Sequence, residues 1–252
     1  MSLANNIILD IEVKKDDMVS LGNKTKSKMA MITQKQLYED AILKNSRDHI
    51  HQSKWAFKLQ TLILWDEVWN SVHHFLLSNT TKTAIWEQIH LNFYTQYTYN
   101  KWHGSTDVCP LCKNIPESIY HTIMHCEFVD TLWTQITPTL IKLHDKSVDD
   151  LEKAFGIVNI KKSNGMILRN WITYKMRELI LQFERKAYHS SKIPSMDIFK
   201  AKLNQSISVE LQKWMHIYNN QHKLHIFEKI FAYKNILCLK IKEGEYHVKK
   251  VI

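Results

Sequence analysis

Three of the four cysteines lie within 18 residues, as Cys109-Pro110-Leu111-Cys112 and then Cys126, with His121 and His125 between them. Read as ligands, these residues have the spacing C-x2-C-x8-H-x4-C. A Cys-x-x-Cys turn brings two thiolates to one ion while nearby backbone N–H groups stabilise the sulfurs. Three thiolates with one imidazole suit Zn²⁺. Four protein ligands close the coordination sphere and leave no place for a water nucleophile. Such a site is structural, and its binding energy helps fold the loop. Two arrangements fit the spacing. His121 and His125 stand i,i+4 and would share a helix face, giving a Cys2His2 set with Cys126 left over. His121 and Cys126 stand i,i+5, about 140° apart on a regular helix, so that pair requires the helix to start or distort between them. Regular-helix geometry narrowly favours His125. Reduced thiols packed as small hydrophobes would leave the two His unexplained, and a redox Cys-x-x-Cys would need a strand–helix context that Pro110-Leu111 lacks. Cys238, among Leu237, Leu239 and Ile241, reads as a buried core thiol.

The elements that must position these side chains are helices. The 252 residues include only 5 Gly and 4 Pro, under a third of the roughly 12% that average chains carry, and sheet-rich folds need those residues at nearly every turn. Thr33 and Gln36 have capping-box spacing ahead of Leu37, Tyr38 and Ala41. Leu64, Trp65, Val68, Trp69, Val72, Phe75 and Leu76 form one helical stripe, broken at Asn79-Thr80-Thr81, which cap a helix holding Ala84, Ile85, Ile89 and Phe93. Leu132, Trp133, Ile136, Leu140 and Leu143 follow the cysteines on the same period. Ile167, Trp171, Ile172, Met176, Leu179, Ile180, Phe183 and Ala187 form a long amphipathic stripe, with Lys175, Arg177, Arg185 and Lys186 largely off it. Pro194-Ser195 opens a further helix that runs to Asn219-Asn220. Ile7–Val13 alternates like a short strand, and the C-terminal stretch around Glu243-Gly244 reads as a β-hairpin. The expected fold is mainly α: a bundle-like array interrupted by a small CCHC loop, with a short C-terminal hairpin.

Charge divides the chain. Residues 1–126 hold 13 Lys+Arg against 12 Asp+Glu, residues 127–152 hold 2 against 6, and residues 153–252 hold 19 against 7, within a net +9. The expected organisation is a polar segment 1–24, a helical subdomain 25–152 carrying the motif 109–126, and a basic helical subdomain 153–252. A local surplus of this size favours polyanions, nucleic acid foremost. Only 4 of the 34 basic residues are Arg, and bidentate reading of guanine favours Arg, so phosphates are the expected contact. Lys161, Lys162, Arg169, Lys175, Arg177, Arg185 and Lys186 are the candidate phosphate ligands. Tyr97, Tyr99 and Trp102 are candidates for stacking on unpaired bases. No apolar run approaches the ~20 residues needed to span a bilayer, and acids stand among the first residues where a signal peptide is basic. An intracellular location, cytoplasm or nucleus, is expected.

The string CPLCKNIPESIYHTIMHCEFVDTLW resembles the zinc-binding segment near the C-terminus of LINE-type (non-LTR) retrotransposon reverse transcriptases. The matching residues are Cys109, Cys112, Glu117, His121, Cys126 and Trp133. The resemblance implies Cys126, rather than His125, as the fourth zinc ligand. Upstream, Lys35–Tyr38, Trp55, Leu64-Trp65, Trp69, Ile85-Trp86 and Ile89-His90 resemble the helical segments before the finger. Downstream, Ala154-Phe155-Gly156 and Asn170-Trp171 resemble the closing helical segment. The similarity covers residues 25–240 and is specific over 85–133.

Polymerase chemistry needs clustered carboxylates on two metals, and this chain lacks them. Asp149-Asp150 reads instead as the acidic first turn of a helix holding Leu151 and Phe155, and no Pro-Asp pair marks a nuclease domain. The expectation is a non-catalytic zinc module that binds RNA or target DNA through phosphates, together with the polymerase part of a retrotransposon protein, and takes no small-molecule substrate. A helical protein-interaction scaffold with a purely structural zinc is the alternative.

Overall fold

Apolar stripes at helical spacing become helices until a cap or a turn stops them. In this chain a polar side chain supplies the stop at several points. The computed structural model describes residues 18–20, 26–28, 50–91, 95, 100, 104, 106–158, 163–190, 192, 194–242 and 245–252. The strand expected over 7–13 and the helix opening at Thr33 lie outside them. Two units are compact: Met1–Lys54, where β1 (Met18–Ser20) pairs antiparallel with β2 (Lys26–Lys28), and Trp55–Ile252. The expected subdomain boundary at residue 152 falls inside the second unit. The acidic and basic stretches are locked together there by Glu152 and Arg169.

Helix α1 (Ile50–Leu59) leads to α2 (Trp65–Val72) and α3 (Asn79–Ile89). The stripe expected over 61–78 is thus shorter than its periodicity. The backbone leaves the helix at His73, and Ser78 caps α3 by accepting from Thr81 N–H at 3.2 Å. Leu64 and Phe75 at the stripe's ends are exposed. After the cysteine loop come a π turn (His121–His125), α4 (Glu127–Leu143), α5 (Asp150–Phe155), α6 (Asn164–Ser190), α7 (Met196–Asn220) and α8 (Leu224–Phe231). The chain closes with β3 (Cys238–Lys242) antiparallel to β4 (Glu245–Val248), Cys238 facing Val248 and buried as expected. Asp149 caps α5 by accepting from Glu152 N–H at 2.8 Å, which accounts for the Asp149-Asp150 pair. Among the described residues no helix is long and apolar enough to cross a membrane.

The axis of the second unit is α6, with α3, α4, α7 and α8 packed around it. Its apolar stripe is buried as its period dictates, but so are three of its cations. Arg169, Lys175 and Arg177, all candidate phosphate ligands by sequence, are inside, the last two although they fall largely off the stripe. Arg169 is fully buried: its Nε and Nη2 grip Glu152 at 2.6 and 2.7 Å. Its Nη groups also donate to the Leu140, His144, Lys146 and Ser147 carbonyls. Those carbonyls belong to or follow the last turn of α4, so one guanidinium caps a helix end where backbone N–H groups of the described residues reach only Leu140 O and His144 O among the four. Lys175 Nζ contacts Glu178 (3.0 Å) and Glu210, and Glu178 also accepts from Thr81 Oγ1 at 2.6 Å. Arg177 donates Nε–H to Gln88 Oε1 at 2.7 Å, and burial pushes its guanidinium down to about 10. Over Trp171–Leu181 the helix is buried all round and brings its polar positions inside with it; Lys175 and Glu178 are paired there, whereas both Nη groups of Arg177 stay without a partner among the described residues.

Gly165 allows the approach: a Cβ there would lie 2.0 Å from Leu143 O, where α6 begins against the end of α4. Replacing Arg169 with Met strands the Glu152 charge and the α4 carbonyls together. Urea unfolding is expected to show a loss of about 3–5 kcal/mol, partly recovered when Glu152→Gln is added. Gly165→Ala is expected to lower the midpoint as well; an unchanged midpoint for both variants would refute this account of the α4–α6 junction.

Candidate metal centre

The first two cysteines sit on a tight backbone loop. Val108 bridges Pro116, Cys109 N–H donates to Ile115 O at 2.8 Å, and Lys113 N–H closes the turn onto Cys109 O at 2.9 Å. Lys113 adopts φ +60° to make that closure, a left-handed conformation that an L-residue rarely takes. The turn points Cys109 Sγ inward and leaves Cys112 half-buried.

The other two candidate ligands are set by the π turn. Cys126 N–H donates to His121 O at 2.7 Å, five residues back, and Cys126 then turns to extended backbone (φ −67°, ψ 127°) before α4 starts. The wider i→i+5 turn removes the angular mismatch that a regular helix would impose on His121 and Cys126. As a result the ligand atoms of Cys109, Cys112, His121 and Cys126 all lie within 4.8 Å of one another. Cys109 and Cys126 Sγ are 3.9 Å apart, and Cys112 Sγ is 3.4 Å from His121 Nε2. Ligands in a tetrahedron with ordinary Zn–S and Zn–N bonds would stand about 3.8 Å (S···S) and about 3.6 Å (S···N) apart. The donor set therefore fits a tetrahedral ion held by three sulfurs and one nitrogen. His125 lies outside it: its ring is half exposed and faces Asp150 Oδ2 at 3.8 Å. The rule that favoured His125 assumed an unbroken α-helix, and the π turn removes that premise.

Burial makes the sulfurs poor company without an ion. The hydrogen bond to Cys126, and then burial, push the Cys109 thiol up, and the same hydrogen bond holds Cys126 down. A metal ion bound here would replace the contact between these two buried sulfurs. The surroundings carry the remaining matched residues. Trp133 donates its indole N–H to Ile123 O at 2.9 Å, fixing α4 to the π turn. Glu117 is buried and accepts from Thr122 Oγ1 at 3.2 Å. Glu184, from α6, is hydrogen-bonded to Glu117; burial first, then the Glu117 charge, push its carboxyl up to about 9. Trp55 packs edge-on against Tyr120 (4.6 Å) and Phe155 (5.0 Å), backing the π turn from α1.

The described candidate phosphate ligands divide between the interior and the surface. Arg169, Lys175 and Arg177 are internal, Arg185 is exposed but paired with Glu87 at 2.8 Å, and Lys186 is exposed. Lys161, Lys162, Tyr97, Tyr99 and Trp102 lie outside the described residues. Neither the π turn nor the buried Glu117–Glu184 pair had a sequence signal beyond the H-x4-C spacing itself. Comparison with family models, with curated proteins and with solved structures returns no match.

Titration with Zn²⁺ against a chromophoric chelator is expected to give one ion per chain. Cys126→Ser should abolish that binding and His125→Ala should leave it intact; the opposite pair of results would reject the ligand set. Trp133→Phe is expected to weaken affinity roughly 10–100-fold, and acidification should weaken it in every variant because protons compete for the ligands. Glu184 gives a separate stability signature. Its folded value is raised above the ordinary 4.5, so its contribution is full below about 4.5 and is lost as pH rises through about 9. Glu184→Gln should therefore raise the melting temperature by an amount that grows from pH 5 to pH 9. A constant difference would refute the assignment.

Proposed function

We propose that this chain is a non-catalytic, zinc-containing nucleic-acid-binding module of a LINE-type retrotransposon reverse transcriptase. In this reading it holds RNA or target DNA mainly by phosphates, alongside the polymerase part of such a protein, in the cytoplasm or nucleus. The observation that carries the reading is the convergence of Cys109, Cys112, His121 and Cys126 through a π turn at the H-x4-C spacing. That spacing belongs to the segment this sequence resembles, and Glu117 and Trp133, the two other matched residues, brace the same turn. Zinc is the ion best suited to three thiolates and an imidazole in a closed tetrahedron.

With Arg169, Lys175 and Arg177 inside, the phosphate contacts fall to exposed lysines such as Lys186, Lys192, Lys223, Lys249 and Lys250. Lysine contacts of this kind are sequence-tolerant and strongly dependent on salt. A second reading, a protein-interaction scaffold, draws support from Phe57 (86% exposed) and Leu62 (84% exposed), with Leu64 close by. Filter binding of the zinc-loaded chain to single-stranded RNA across a salt series separates the two. The nucleic-acid reading expects binding at low salt that weakens steeply, by several tenfold steps between 50 and 200 mM for a footprint of many phosphates. Binding that is absent at low salt, or indifferent to salt, would overturn it.

A further inference from the structure

Helices α2 and α3, with His90 just past the end of α3, carry four aromatic rings in series, the last pair stacked. Trp65 and Trp69 are one turn apart on α2, with centroids 6.5 Å apart and planes tilted by 33°. Trp69 meets His90, at the end of α3, at 5.4 Å and 33°. His90 in turn lies flat on Trp86 at 4.1 Å and 28°. His90 Nδ1 is 2.9 Å from Trp86 O, one turn back, which fixes the imidazole in that plane. The inner end of the series is anchored: Trp65 packs edge-on against Phe155 at 5.3 Å. Its outer end is open. Trp86 is 45% exposed, and His90 is the one ring against it among the described residues.

A tryptophan with one face covered by a parallel ring and nearly half its surface in water presents its other face as a flat π surface. We infer that Trp86, backed by His90 and Trp69, is a stacking platform for an unpaired base of a single-stranded nucleic acid. The near-parallel planes favour a flat ligand. A quaternary ammonium would be held by rings at steep angles enclosing it, whereas an added base continues a stack already built. Charge agrees with a polyanion. Lys82 stands one turn before Trp86 on the same face of α3 and has no carboxylate partner among the described residues. The neighbouring Glu87 is neutralised by Arg185 at 2.8 Å. The platform differs from Tyr97, Tyr99 and Trp102, and it rests on the nucleic-acid reading above.

The test uses the full zinc-loaded chain and a labelled single-stranded RNA 12-mer, read by fluorescence anisotropy. A matched 12-mer with abasic sites through its centre serves as the second probe. Trp86→Ala is expected to weaken binding to the intact strand roughly tenfold or more, Trp86→Phe to restore most of it, and neither to change binding to the abasic strand. Circular dichroism melting should be unchanged for both, since Trp86 lies at the surface. Equal binding of wild type and Trp86→Ala to the intact strand would overturn the platform and leave the phosphate-binding reading standing. An equal loss on both strands would also overturn it, since stacking needs bases. Displacement of the strand by a proline-rich peptide, with loss of that peptide's binding in Trp86→Ala, would assign the face to a polypeptide instead. No binding of either strand by wild type at low salt would remove the platform together with the reading it rests on.

Discussion

The hydrogen bond from Cys126 N–H to His121 O, at 2.7 Å, spans five residues, one more than an α-helix allows, and the metal centre is built on that extra residue. Widening the turn brings a histidine and a cysteine, otherwise on different helix faces, to the same side. It also lets Cys126 leave in extended backbone, so that α4 starts afresh in a new direction with Glu127 in its first turn. Local π geometry is intrinsically poor and tends to mark functional positions. Here it is held from three directions: the Trp133 indole on Ile123 O, the Thr122–Glu117 contact below, and the Trp55 and Tyr120 rings behind. A metal ion bound to the four ligands would lock the same turn from the fourth side, so ion binding and local folding are one event.

The centre is tied to the rest of the chain through α6. Glu184 reaches the Glu117 side of the loop, while fifteen residues earlier Arg169 holds the end of α4 and the start of α5. The same helix therefore holds the cysteine loop at one point and the C-terminal end of α4 at another. It does so with buried charges, and each survives by a different device: Arg169 by a bidentate carboxylate and four carbonyls, Lys175 by two carboxylates, Glu184 by keeping its proton. Buried pairs of this kind contribute little net stability against a well-packed apolar alternative, yet removing one partner is costly. They define which helix end meets which, and so fix the arrangement that the metal loop needs.

These arrangements change where a polyanion would bind. Much of the positive charge of α6 is internal, which moves any phosphate contact to lysines at the end of α6, in the loops that flank α7 and among the C-terminal residues. The flat aromatic surface is found on α2 and α3, with Lys82 as its nearest cation. Metal loop, lysines and ring stack thus fall on separate elements of one compact unit, Trp55–Ile252.

Helix content, a break close to Asn79-Thr80-Thr81, the helix starts at Asp149-Asp150 and Pro194-Ser195, the C-terminal hairpin and the metal-ligand candidates were all legible in the sequence, though the residue that caps α3 is Ser78. Each depends on short-range physics: apolar spacing at the helical period, side-chain oxygens that cap a backbone N–H, and thiolates and imidazole close along the chain. The choice between His125 and Cys126 was not legible from residue spacing, because it turns on a one-residue widening of a helical turn that packing by Trp133 and Glu117 supports. Nor was the fate of Arg169, Lys175 and Arg177. Helical periodicity places Lys175 and Arg177 largely off the apolar stripe, and that means outward only on a helix with one free side. With α3, α4, α7 and α8 packed on α6, every residue from Trp171 to Leu181 is buried, and the polar side chains of that stretch lie inside with the rest. Local sequence determined which elements form and which atoms can bind a metal; the tertiary structure decided which of those atoms meet and which charges are left facing water.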